Sequence, residues 1–159
     1  MIDKIERYVL GVDPGVHKCG LALLHVSASP RLVDYAQVKF EDVTASMAYS
    51  EITRGIEGFI TIAIEDQYVH KNVKTSLDLA RITGRWIEVA EQNMADYKLI
   101  NPKTWQAAEL GGGKMKRYQL KAASKGRARA EYGIRVNDHI SDAIYIARYW
   151  AVELALTCR

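Results

Sequence analysis

The chain has 159 residues, of which 48% are hydrophobic and 26% charged; this balance suits a packed soluble core and excludes disordered and collagen-like classes. No run of about 18 apolar residues occurs, so no transmembrane helix is expected. The net charge of +3 is small, yet Lys103, Lys114, Lys116, Arg117, Lys121, Lys125, Arg127 and Arg129 crowd into residues 103–129 against the single acid Glu109, which points to an anionic partner.

In chain order, residues 7–13 read as a buried strand. An Asp-Pro-Gly turn then leads into a second strand over 19–26. "RLVDYAQVKF" (31–40) alternates apolar and polar residues, as a strand with one wet face does. Residues 44–57 read as a helix, and "GFITIAIED" (58–66) as a fully buried strand that ends in Glu65 and Asp66. Residues 72–94 repeat apolar side chains at helical spacing behind the potential cap Asn72; Gly84 within them predicts close packing against another element. "YKLINPKTWQAAEL" gives a short strand and then a helix opened by Pro102. After the flexible "GGGKMK" loop, two helices follow, over about 117–131 and 137–156.

Consecutive strands first, then strands alternating with helices, imply an α/β fold. The expected form is a mixed five-stranded sheet with its first three strands antiparallel, flanked by helices, in a single domain over 1–159. The opening "MIDKIERYVLG" lacks the features of a signal peptide, and Cys19 and Cys158 lack metal-ligand spacing, so a reducing, cytoplasmic setting is expected, with no membrane partner.

Acids recur where apolar neighbours predict burial: Asp13 at a strand end, Glu65 at another, and Asp142 on the last helix one turn beyond Asp138 and His139. Each has an ordinary explanation in isolation, as a turn residue, a wet strand end or a helix cap. Asp142, mid-helix among Ile and Ala, is the hardest to explain that way. Together they suggest a divalent cation site. Mg2+ takes hard carboxylate oxygens, and two such ions about 4 Å apart can drive phosphodiester hydrolysis without a protein nucleophile.

Three stretches resemble the RuvC family of Holliday-junction resolvases, within the RNase H-like superfamily. "VLGVDPGVHKCGLAL" is similar to its opening motif, "AIEDQYVHKNVKTSLDLARITG" to its second without a gap, and "DHISDAIYIA" to its last. An Asp-x-Gly on a first strand also occurs in actin-like ATPases, but 159 residues are too few for their two lobes. The resemblance implies an RNase H-like sheet and metal ligands Asp13, Glu65, His139 and Asp142, with Asp138 as the alternate to His139. It further implies two Mg2+ ions, replaceable by Mn2+, and a catalytic lysine in the glycine loop, here Lys116.

The implied partner is branched DNA, above all four-way junctions. Its implied contacts are Tyr68 against a base, with Lys71, Asn72, Lys74, Lys114, Arg117, Lys121, Lys125 and Arg127 around the backbone. A two-fold junction implies a homodimer, with the helix over 77–90 and its Trp86 as the expected interface. The activity implied is paired phosphodiester hydrolysis by a bacterial or phage enzyme. A broader flap or branched-DNA nuclease and a non-catalytic junction-binding module are the alternatives.

Overall fold

A computed structural model describes residues 5–67, 72–111 and 114–157. In chain order they form β1 (Arg7–Asp13), β2 (Lys18–His25), β3 (Arg31–Lys39), α1 (Ala45–Ile52), β4 (Phe59–Glu65), α2 (Val73–Gln92), β5 (Asp96–Ile100), α3 (Pro102–Leu110), α4 (Arg117–Tyr132) and α5 (Asp138–Thr157). The five strands make one mixed sheet in the order β3-β2-β1-β4-β5. β1, β2 and β3 pair antiparallel, whereas β4 lies parallel to both β1 and β5. The expected sheet, with its antiparallel first three strands, is what forms.

Period-two alternation decides which side chains face which layer. Leu10, Val12, Leu21, Leu23, Ile62 and Ile64 point to one face, where α1 and α2 cover them with Tyr49, Ile52, Ile82, Trp86 and Val89. Val9, Ala22, Leu24 and Ala63 point to the other, under Trp105 of α3, Ala128 of α4 and the run Ala143–Ala147 of α5. Trp86 is fully buried in the first layer, so it belongs to the core and is not the interface residue expected from its helical spacing. What α2 leaves outside is Val73 and Leu77, both more than half exposed.

Local chemistry sets the element ends. Thr44 caps α1, whose eight residues stop well short of the expected 57 as Gly55 turns with φ 73°. The Asn72 side chain accepts from the Thr75 N–H and caps α2, as expected. Asn101 and Pro102 open α3, and Gly111 closes it in the left-handed region. Gly84 meets nothing within 4 Å of where a Cβ would stand, so the close packing expected there is absent.

The close approach occurs at two other glycines. A Cβ on Gly11 would lie 2.1 Å from the Ala143 carbonyl oxygen, and one on Gly20 would lie 1.9 Å from that of His139. Backbone thus meets backbone where α5 crosses β1 and β2. Those two missing side chains let the first turns of α5 settle beside the end of β1. Among the described residues, no helix is long and apolar enough to cross a membrane.

Candidate active site

β1 and β4 run side by side and parallel, with Val12 opposite Ile64, so Asp13 and Glu65 are the next residues on adjacent strands. Both emerge at the same edge of the sheet. α5, pressed onto β1 at Gly11, brings His139 and Asp142 to that edge on successive turns. All four line one cleft of about 620 Å³, together with Asp66, Trp105, Gln106, Arg117 and Lys121. The sequence therefore placed four ligand candidates that the fold unites from three elements.

Each acid has a protein donor. His139 Nδ1 lies 2.9 Å from Asp13 Oδ2. The Trp105 indole Nε1–H donates to Glu65 Oε2 at 2.9 Å. Lys121 of α4 pairs with Asp142 Oδ2, and Ser124 donates to Asp142 Oδ1 at 2.9 Å while sharing a 2.9 Å hydrogen bond with Ser141. Asp13 and Asp142 are buried, and Glu65 and His139 are half-buried.

The charges do not balance comfortably. Burial, with Asp13 and Asp142 nearby, pushes the Glu65 carboxyl up from 4.5 to about 8 against the opposing Trp105 hydrogen bond. Burial also raises Asp142, with Lys121 opposing. The hydrogen bond to Asp13 raises His139 against its desolvation. Burial works against charge on Lys121, yet Asp142 holds its ammonium above the ordinary value. Acids crowded this closely favour either protons or a cation.

Three carboxylates and an imidazole on rigid elements fit a hard divalent ion in donor type. Among the described residues, no three such side chains are drawn together into a ready coordination shell. Lys121 occupies an Asp142 carboxylate oxygen here, so coordination by Asp142 calls for side-chain rotation that releases it.

Asp138 stands outside the cleft. Its carboxylate pairs with Lys125 Nζ at 2.9 Å, and the hydrogen bond from that lysine lowers its pKa. It does not cap α5 either, because Asn137 Oδ1 accepts from the Ile140 N–H. Of the two adjacent residues, His139 is the one that lines the cleft.

The basic candidates divide. Arg117 and Lys121 line the cleft, whereas Lys116, expected as the catalytic lysine, is exposed at the start of α4 and is not among the lining residues. Among the described residues, Lys121 is the lysine that reaches the cleft acids. Arg127 was expected to contact phosphate, but its guanidinium bonds to Glu109 and Glu131 and lies 4.9 Å over the Tyr145 ring. Arg148 joins it on Glu109 at 2.5 Å, tying α3, α4 and α5 together. Lys74 and Lys114 are exposed, and Asn72 is engaged as a cap. Tyr68 and Lys71 lie outside the described residues.

Sequence reasoning missed Trp105 and Ser124 as supports for the acids. Only the Trp105 spacing from Pro102, on the inner face of a capped helix, gave a signal.

A family model for the crossover junction endodeoxyribonuclease RuvC matches residues 9–149. The crossover junction endodeoxyribonuclease RuvC of Wolinella succinogenes is 29% identical over 147 residues, covering 87% of this chain and 90% of its own. That of Campylobacter jejuni is 28% identical over 153 residues, covering 92% and 95%. In fold, the chain is similar to Thermus thermophilus RuvC in complex with a Holliday junction substrate, with a TM-score of 0.72 and 19% identity over 94% of this chain and 96% of that one. It is also similar to the fowlpox virus resolvase bound to Holliday junction DNA, with a TM-score of 0.59 and 13% identity over 92% and 98%. An acid-lined cleft at the end of β1 and β4, and a match spanning nearly all the secondary structure, lead to one assignment: the chain belongs to the RuvC family of crossover junction endodeoxyribonucleases.

Proposed function

We propose that this chain is a metal-dependent endonuclease, a single nuclease domain over 1–159, that resolves four-way DNA junctions by paired phosphodiester hydrolysis. The observation that carries this reading is the meeting of Asp13, Glu65, His139 and Asp142 in one cleft walled by Arg117 and Lys121. The four would hold Mg2+, two ions per site, with Mn2+ able to substitute; when bound, the ions supply an activated water and stabilise the leaving oxygen.

The chain's own groups do the rest. Asp13, at the end of β1 beside Glu65 of β4 and against His139 of α5, would be the central ligand of the set. His139, with Nδ1 against Asp13, has Nε2 left either to hold an ion or to orient the attacking water and take its proton. Lys121, once free of Asp142, faces the scissile phosphate and stabilises the charge that builds on it. Arg117 holds the adjoining backbone, a contact that positions without reading sequence.

A four-way junction has two-fold symmetry, and paired cuts ask for two sites. A homodimer supplies them, and the exposed Val73 and Leu77 edge of α2 is one apolar surface for it.

The test is Mg2+-dependent cleavage of an immobile four-way junction beside a flap and an RNA–DNA hybrid under one set of conditions. Symmetric paired nicks in the junction, lost in Asp13→Asn with binding retained, are expected. Equal cutting of the flap points to a broad branched-DNA nuclease. Tight binding without cutting points to a non-catalytic module, and full activity in Asp13→Asn removes the metal site.

A further inference from the structure

A second groove, of about 600 Å³, adjoins the cleft and shares Arg117 and Lys121 with it. It runs along α4 to the first residue of α5, and its remaining lining is Tyr118, Ala122, Lys125 and Asp138. Arg117, Lys121 and Lys125 are four residues apart, so they form one cationic row along the helix. That row spans eight residues, or about 12 Å of helix.

The groove keeps positive charge after its internal pairs are counted. Asp138, its one acid, is matched by Lys125 at 2.9 Å, and Lys121 is turned toward Asp142 in the neighbouring cleft. Among the described residues, Arg117 is then the cation left facing the groove and the cleft alike.

The apolar wall differs in kind. Tyr118 is 67% exposed, and Ala122, with only a methyl group, follows one turn later in the same groove lining. Tyr145, by contrast, is buried with its hydroxyl on Glu131. An exposed aromatic beside a guanidinium that pairs with no acid among the described residues, at the mouth of the acid-lined cleft, has the two parts that a nucleotide needs: a platform for a base and a cation for its phosphate.

We infer that this groove is a nucleotide-binding subsite that receives the strand leaving the catalytic cleft, with a base stacked on Tyr118 and the adjoining phosphate on Arg117. The inference rests on the nuclease reading above, which puts the cut strand in the neighbouring cleft. Stacking is indifferent to base identity, so the subsite adds grip on a locally unpaired strand without adding sequence preference.

The experiment places 2-aminopurine singly at successive positions flanking the cut in a four-way junction, and in a single-stranded oligonucleotide of the same sequence. Fluorescence is read with the full chain in metal-free buffer. Wild type and Tyr118→Phe are expected to quench one position beside the cut. Tyr118→Ala is expected to lose that quench and to bind roughly 5- to 150-fold more weakly, the range that loss of one stacked base gives. Arg117→Gln is expected to reduce the salt dependence by about one phosphate contact. Circular dichroism of Tyr118→Ala, at an exposed position, checks that the fold is kept.

Quenching and affinity unchanged in Tyr118→Ala, with wild type still cutting junctions, overturn the subsite and leave the nuclease reading standing. Tyr118-dependent quenching of the oligonucleotide by a wild type that cuts no junction overturns the nuclease reading and keeps the subsite. Absence of quenching on either DNA overturns the subsite outright.

Discussion

Trp105 and Glu65, forty residues apart, meet through an indole N–H donated to a carboxylate oxygen at 2.9 Å. The tryptophan is 1% exposed in the core between α3 and the sheet, so its ring is fixed by packing, and the N–H fixes the acid in turn. Donors of this kind orient a metal-binding carboxylate, and removing them typically weakens metal affinity about 10- to 100-fold.

Trp105→Phe keeps most of the buried ring and deletes the donor. Titration calorimetry with Mg2+ is expected to show that loss of affinity, with thermal stability lowered only modestly. The indole also gives wild type a direct optical signal, since an ion on Glu65 changes the field at Trp105. Unchanged affinity in Trp105→Phe would show that the hydrogen bond has no part in holding the acid for a cation.

The acids themselves were legible in the sequence because each is announced locally. Asp13 and Glu65 stop apolar strands, and His139 and Asp142 share a helix face with buried isoleucine and alanine. Their supports were not, because Trp105–Glu65 and Lys121–Asp142 depend on where α3 and α4 come to rest on the sheet. A count of basic residues likewise cannot tell a free cation from a paired one. Arg127 reads as part of a basic tract, but Glu109 on α3 and Glu131 one turn on neutralise it. Gly84 and Gly11 make the same point for packing: each interrupts an element that packs on the core, and only the layer that covers it decides which one is crowded.

His139 and Asp138 are adjacent in sequence and face different neighbours, Asp13 in the cleft and Lys125 in the groove beside it. His139→Ala is expected to lower junction cleavage by about 10²–10⁴-fold, the usual worth of a positioned acid–base group. Asp138→Ala removes only a half-exposed ion pair, worth about 0–1 kcal/mol, and is expected to cut within a few-fold of wild type. Cleavage rates of the two variants at saturating Mg2+ compare them directly. If Asp138→Ala is the inactive one, the ligand set is out by a residue.

Glu65 makes the metal-free protein sensitive to pH in an unusual direction. Its carboxyl titrates near 8 when folded, because it is buried and lies beside Asp13 and Asp142, against an ordinary value of 4.5. Below 4.5 both the folded and unfolded chains hold the proton, and the group costs nothing. Between 4.5 and 8 the unfolded chain releases its proton while the folded chain keeps it, so the unfolded state is favoured progressively as pH rises. Above 8 the full cost is present, as a buried anion among anions. Glu65→Gln cannot lose a proton, can still accept from Trp105, and is therefore expected to melt at a higher temperature than wild type at pH 8 in chelator, with the gap closing toward pH 4.5. Mg2+ is expected to raise the wild-type Tm at pH 8 and to leave Glu65→Gln little changed, since the cation replaces the proton that burial demands. Melting curves across that pH range, with and without Mg2+, decide the matter. A Glu65→Gln variant less stable than metal-free wild type at pH 8 would mean that the acid is already balanced by Lys121 and Trp105, and that the cleft exerts no pull on a cation through it.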